Sequence, residues 1–386
     1  MKLGELVCIR TGRLDANQAV ENGRYPFFTC AADPLRIDAW QYDCECVLVA
    51  GNCNPYVSYY NGKFNAYQRV YIIEVQEEDR LYAKYLYYFL KLYMERSTDR
   101  QHGAIEKFFH LSDFTEIDID FPSVEEQRLV ADSLWTIDRK IALNRKRIAT
   151  LEAMAKEIYD YWFVQFDFPD AHGRPYKSSG GAMVYNPDLK REIPKGWCCD
   201  NLLRISKLIA GGTPRKDRQE YWNGTIPFFG PTDAAGDIFQ LKTADTVTQE
   251  GLDHSAGALM SENTVIITAR GSIGKMVVCG VPMTMNQSCF AFEEVAGRYE
   301  YLYFKVKELI QYLLLKGNGT TFKSIVTIDI ENSILCLADD ATIDRFTDRV
   351  RPLFAGIKNA TKEIEKLSSL RDFLLPLLMN GQVKVG

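Results

Sequence analysis

The chain says the same things twice. Residues 22–28 read NGRYPFF and residues 223–230 read NGTIPFFG, which lays Pro26 on Pro227 at an offset of 201. From Gly103 the text is GAIEKFFHLSDFTEIDID and from Gly319 it is GTTFKSIVTIDIENSILC, with Lys107 over Lys323 and Asp113 over Asp329 at an offset of 216. That second offset continues without a slip, placing Leu134 on Val350, Ile137 on Leu353, Ile141 on Ile357, Ile148 on Ile364, Leu151 on Leu367 and Ile158 on Leu374. A chain duplicated on this scale folds as two related units. The change of offset means insertions between the anchors, and the upstream parts have diverged more than the downstream ones.

The downstream parts are predicted to be long helices. Leu134, Ile137, Ile141, Asn144, Ile148, Leu151, Ala155, Ile158 and Trp162 alternate steps of three and four, the seam of a coiled coil, and Val350 through Leu378 repeat it. Only the second copy contains breakers, namely Pro352, Gly356 and Pro376. Ser123 and Glu126 form a capping box after Pro122, and Asp339 or Asp340 can start the second helix. A 40-residue helix spans roughly 60 Å, more than one globule needs. A narrow seam suits a helix partner better than a sheet, so the two helices are expected to pair through Leu134, Ile137, Ile141, Ile148, Leu151 and Ile158 on one side and Val350, Leu353, Ile357, Ile364, Leu367 and Leu374 on the other. Asn144, near Ala360, would fix the register. The competing reading lays each helix on its own globule.

Upstream, CVLVAG, RVYIIEV, TVIITARG and SCFAFEEV read as strands, and LYAKYLYYFLKLYMER and YEYLYFKVKELIQYLLLKG as amphipathic helices. The expected fold class is therefore α/β: two tandem globules (1–122 and 195–337), each followed by a long helix (123–165 and 338–381). The Gly-, Pro- and Ser-rich residues 166–194 read as a connector. With 386 residues, 46% hydrophobic, 21 Tyr and 21 Phe, the chain has enough apolar matter for two or three cores.

Composition also narrows function. The start MKLGELVCIRTG has no apolar run after its lysine and no window holds eighteen apolar residues, so a cytoplasmic home is expected. The ten cysteines lack C-x-x-C spacing and read as buried free thiols rather than a zinc site. A net charge of −5 argues against coating nucleic acid by bulk electrostatics, but basic clusters at 213–218 (TPRKDR) and 144–147 (NRKR) leave room for a local groove.

No catalytic constellation survives inspection. ARGSIGKM at 269–276 has Ala269 where a phosphate loop needs glycine and Met276 where it needs a hydroxyl. CNPYV at 53–57 lacks the second proline of an Asn-Pro-Pro-Tyr pocket. Ser272 and Lys275 have S-x-x-K spacing without its usual setting. His102, His110, His172 and His254 are scattered. Binding or scaffolding remains.

The phrases GGTPRKDRQEYWNGTIPFF (211–229), ITARGSIGK (267–275), MNQSC (285–289), FPSVEEQ (121–127) and REIPKGW (191–197), in this combination, resemble the specificity subunit of type I restriction and modification systems. The first half departs from that pattern, since RTGRLDANQAV (10–20) replaces the Gly-Gly-Thr-Pro opening. The resemblance implies two target-recognition domains that each read half of a split sequence in double-stranded DNA. It also implies long helices packed antiparallel as a coiled-coil spacer that docks two methyltransferase (modification) subunits. This chain would hold no cofactor and perform no chemistry; S-adenosylmethionine, ATP and Mg belong to the methyltransferase and to restriction (motor-nuclease) subunits. Candidate DNA-binding residues are Lys63, Asn65, Tyr67, Gln68 and Arg69, in a polar and aromatic strip read as lying between strands, and Arg215, Lys216, Arg270, Lys275, Asn286 and Gln287 in the second half. Gly271 and Gly274 read as turn residues. The alternatives are a coiled-coil scaffold or chromosome-associated protein, which needs no paired divergent globules, and a self-sufficient methyltransferase, which lacks cofactor and catalytic loops.

Overall fold

A computed structural model describes residues 1–51, 56–99, 109–316 and 324–385. Lys107, Lys323, His102 and residues 53–55 of the CNPYV phrase lie outside them. The chain divides into two units, Met1–Ala142 with Glu365–Gly386, and Leu143–Ile364.

In the first unit, β1 (Val7–Thr11), β2 (Tyr25–Phe28), β3 (Leu35–Ile37), β4 (Tyr42–Ala50), β5 (Val57–Ala66) and β6 (Val70–Val75) form one sheet in the order β1-β6-β4-β5-β2-β3. Side chains alternate between its faces. Val47, Val49 and Ile73 pack with Tyr85, Leu86 and Leu90 of α1 (Ala83–Asp99), while Cys46, Leu48 and Ile72 meet Phe28 and Phe64 on the other side. The short α2 (Ser112–Thr115) and the long α3 (Val124–Tyr159) follow.

The second unit contains β7 (Met183–Asn186), β8 (Arg191–Pro194), β9 (Cys198–Asp200), β10 (Ser206–Ala210), β11 (Trp222–Phe229), β12 (Phe239–Gln240), β13 (Asp245–Val247) and α4 (Gln249–Asp253). It continues with β14 (Val265–Thr268), β15 (Met276–Cys279), β16 (Thr284–Met285), β17 (Cys289–Glu294), α5 (Tyr299–Lys316), α6 (Thr327–Glu331), β18 (Leu335–Leu337) and the start of α7 (Asp340–Met379). Its two larger sheets repeat the first unit's sheet, with β12 added beside β15. The order β10-β17-β14-β15 matches β1-β6-β4-β5, and β13-β11-β16 matches β3-β2-β5. The single strand β5 has its counterpart split into β15 and β16 by Gly280-Val281-Pro282-Met283, where proline lacks the N–H that a ladder requires. The downstream anchors also match: Asp113 accepts a hydrogen bond from His110 N at 2.8 Å, and Asp329 one from Val326 N at 2.9 Å.

The segment expected as a bare connector is a folded part of the second unit. Phe166, Phe168, Ile193 and Trp197 are buried in its core, and β7 and β8 pair as a hairpin. Asp167 accepts from Ser178 Oγ (2.6 Å) and N (2.7 Å), bonds that hold its carboxyl below the usual range. Its aromatics outweigh its Gly and Ser. The cysteines are also more mixed than expected: Cys46, Cys279, Cys289 and Cys336 are buried, but Cys8 is exposed and the others described are intermediate.

Segments of the two long helices share a core within each unit. Within the second unit, Ile148 and Ala155 of α3 and Val350, Phe354, Ile357 and Ala360 of α7 share one core with the sheet residues Val265 and Phe292. Asn144, 1% exposed, donates to Glu363 at 2.9 Å, and Gly356 sits over Leu151, whose Cδ1 would lie 2.9 Å from an added Cβ. Within the first unit, Val130, Ala131 and Leu134 share a core with Leu375 and Leu378, so the deepest contacts at that end fall one residue beyond the expected Leu374. Arg371 donates to Asp138 at 2.9 Å, and Tyr88 to the same carboxylate at 2.6 Å. Pro352 and Pro376 do not break α7. Ser123 Oγ accepts from Glu126 N (3.3 Å), and Asp339 rather than Asp340 caps α7 by accepting from Thr342 N (2.9 Å). Among the described residues no helix is long and apolar enough to cross a membrane.

Gln127, the last residue of FPSVEEQ, is fully buried and bonded at both ends: its Oε1 accepts from Tyr82 N (2.9 Å), and its Nε2 donates to the carbonyls of Arg80 (2.9 Å) and Pro122 (3.0 Å). Gln127→Ala strands these backbone groups away from water. It should cost about 2–4 kcal/mol, read as a lower denaturation midpoint, whereas the exposed control Gln249→Ala should change it by less than about 0.5 kcal/mol.

Candidate nucleic-acid interface

The recurring Asn-Gly-x-x-Pro-Phe-Phe phrase builds one device in each unit. Asn22 and Asn223 both take left-handed backbone (φ 66° and 60°), a conformation asparagine tolerates better than most residues; Asn22 precedes β2, and Asn223 lies in the irregular start of β11, where the register with β13 shifts between Trp222 and Ile226. Each of these strands pairs in parallel with the end of a neighbour: Phe28 with Ala66, and Phe229 with Met285. The chain then makes a tight turn, Tyr67-Gln68-Arg69 in one unit and Asn286-Gln287-Ser288 in the other. Four backbone hydrogen bonds hold each. Tyr67 N donates to Phe28 O (2.9 Å), Val70 N to Tyr67 O (2.8 Å), Gly51 N to Arg69 O (2.8 Å) and Gly12 N to Val70 O (3.0 Å). In the second unit Asn286 N donates to Phe229 O (3.0 Å), Cys289 N to Asn286 O (3.2 Å), Ala269 N to Ser288 O (2.8 Å) and Gly211 N to Cys289 O (3.3 Å). Gly12 and Gly211 cross so close that a Cβ on either would overlap carbonyl oxygens, those of Ala66 and Tyr67 or that of Asn286.

The residues singled out from the sequence fall around these turns unevenly. Gln68, Arg69 and Gln287 are exposed on them, with Tyr67 and Asn286 half-buried beside them. Asn65 is buried on β5, its Oδ1 accepting from Ala66 N (3.0 Å) and its Nδ2 donating to Ala39 O (3.4 Å), so it supports the strand. Lys63 also lies within β5 rather than between strands. Its ammonium stands 4.5 Å from the centre of the Trp40 ring. Arg270 is exposed next to Ala269, which is bonded to the second turn, whereas Lys275 reaches back to Ala234 O (3.0 Å). Gly271 and Gly274 take positive φ (75° and 84°), as turn residues do. The loop carrying Arg215 and Lys216 is tied to the second turn through Thr213 Oγ1, which donates to Gln287 Oε1.

Charge at these loops is exchangeable. Arg215 is paired with Asp217 (2.7 Å) in full solvent, which holds the Asp217 carboxyl below its ordinary range. Such exposed pairs contribute little, so the guanidinium can trade Asp217 for a phosphate. In the first unit Thr11, Gly51, Gln68, Arg69, Tyr71 and His110 are among the lining of a cleft of about 360 Å³. Burial pushes the Tyr71 hydroxyl up, and it donates to Phe109 O at 2.7 Å. Thr11 and the exposed Trp40 escaped the sequence reading, because nothing in their local text distinguishes them from ordinary loop residues, and His110 reads there as one of four scattered histidines.

The chain matches the family model of the type I restriction modification DNA specificity domain over residues 1–153 and 194–337. The specificity subunit of the type I restriction enzyme MjaIX from Methanocaldococcus jannaschii is 28% identical over 315 residues, which cover 80% of this chain and 71% of that protein. The Escherichia coli EcoDI specificity subunit is 36% identical over 156 residues, covering 40% and 34%. The crystal structure of a type I restriction-modification S subunit from M. genitalium shares the fold, with a TM-score of 0.64 at 17% identity over 98% of this chain and 95% of that one. With two matches to one domain model and one backbone device built twice, the chain belongs to the type I restriction-modification DNA specificity family.

Proposed function

We propose that this chain is the non-catalytic, sequence-reading subunit of a cytoplasmic type I restriction-modification complex. Each unit binds one half-site of a split double-stranded DNA target through its turn and flanking loops. Lys63, Lys216, Arg215 and Arg270 hold phosphates, and Gln68, Arg69, Asn286 and Gln287 approach base edges in the major groove. Residues 123–165 and 338–381 pair as an antiparallel spacer and dock two methyltransferase subunits. S-adenosylmethionine, ATP and Mg act in those and in restriction subunits. The observation that carries this reading is the repetition of one backbone frame under different side chains, which a reader of two different half-sites needs and a plain scaffold does not.

The isolated chain, with its net charge of −5, should bind DNA weakly and lose that binding with added salt, and gain tight sequence-specific binding only with the methyltransferase. Titration of a labelled duplex at several salt concentrations measures this, and nanomolar specific affinity of the chain alone would count against it. Exchanging residues 195–337 for the equivalent part of a relative should change one half of the methylated motif and leave the other intact, as read by genome-wide methylation mapping. A four-residue insertion near Ile148, matched by one near Ala360, adds about 6 Å of helix, comparable to one or two base pairs. The same half-sites should then be methylated with a spacer longer by that amount. An active double insertion that keeps the original spacing would exclude the helices as its determinant.

A further inference from the structure

The two turns differ at two of their three positions and agree at the middle one. Tyr67 stands against Asn286 and Arg69 against Ser288, but Gln68 stands against Gln287. The correspondence is fixed by the main chain, because the same four hydrogen bonds bracket three residues in both units. In each, the glutamine occupies the outer corner, with its N-terminal neighbour's carbonyl bonded to the N–H two residues beyond it, and its side chain is exposed. None of the four bonds uses that side chain, so the frame does not require glutamine. Within the chain Gln287 ties the Thr213 loop through its Oε1 alone, so the recurrence of glutamine at this corner of both units points to what the exposed amide meets.

We infer that Gln68 and Gln287 are equivalent specificity residues that each read an adenine, and that the two half-sites carry that A·T pair at the same distance from the methylated base. This rests on the reading above, in which each unit binds one half-site. A glutamine amide matches adenine in the major groove, its Oε1 accepting from N6 and its Nε2 donating to N7. Gln287 Oε1 already accepts from Thr213, which orients the amide and leaves the second lone pair and both N–H groups for the base. The unlike neighbours, Arg69 and Tyr67 against Ser288 and Asn286, would then read unlike bases on either side.

The test uses the complete methyltransferase complex containing this chain, with melting curves to establish folding. Methylated motifs are mapped for wild type and for Gln68→Ala, Gln68→Glu, Gln287→Ala and Gln287→Glu. Competition binding follows, on duplexes altered only at the assigned pair. The alanine variants should lose discrimination at one adenine, in one half-site each, by roughly ten- to a hundredfold, the worth of one bidentate base contact. The glutamate variants keep an acceptor and lose the donor, so their preference should move toward cytosine. Competition binding reads this even where methylation is lost. An unchanged motif, a uniformly weaker methylation of an unchanged motif as for a phosphate contact, or retained preference for adenine would overturn the inference. A wild-type complex that methylates no two-part motif would instead remove the half-site reading on which it stands.

Discussion

The turn in each unit depends on one parallel pairing of backbone, Phe28 beside Ala66 and Phe229 beside Met285. A parallel partner at the very end of a strand fixes where that strand stops, and the glycine crossing behind it fixes how the chain turns. The four bonds that frame each turn join main-chain atoms, so its side chains can change at little cost to the fold, apart from Asn286, whose Oδ1 accepts from Ser288 N at 2.9 Å. The proposed reading of DNA by these turns requires that freedom. A frame built from side-chain bonds would have tied stability to target choice.

The family phrases divide into two kinds under this light. FPSVEEQ and REIPKGW are fastenings: Gln127 joins the start of α3 to the carbonyl and amide of Arg80 and Tyr82, and Trp197 Nε1 donates at 3.1 Å to Asp339, the carboxylate that also caps α7. GGTPRKDR, ITARGSIGK and MNQSC are different, since they meet at the second turn. The first kind tolerates few substitutions because buried donors and acceptors must be matched. In the second kind the glycines at the crossing and bends are constrained in the same way, as is the buried Thr268, whose hydroxyl donates to Ser272 O and accepts from Lys275 N at 3.0 Å.

Much of this was legible in the sequence. The duplication, both long helices, the strand text and the Ser123 cap all follow from spacing and residue type. The match of Gln68 to Gln287 was not, because the sequence anchors run at offsets of 201 and 216, and neither lays one glutamine on the other. The loops between anchors absorb the difference, and only pairing register reveals it. The split of β5 into β15 and β16 was visible as Gly280 and Pro282 but had no meaning until its unbroken counterpart was seen. Residues 166–194 were misread for a physical reason: glycine and serine content signals flexibility, yet four aromatic residues, Phe166, Phe168, Tyr176 and Trp197, anchor this stretch and its flanks.

One feature of the division into units bears on how the molecule is made. The first unit includes residues 365–385 as well as 1–142, and Leu375 and Leu378 fill its core. On the ribosome, its sheet and α1 emerge early but must wait for the whole second unit to be translated before that core can close. The second unit, contiguous from 143 to 364, can finish first. The core that Leu375 and Leu378 complete therefore stays open until the last residues are made, so the half that is made first is completed last.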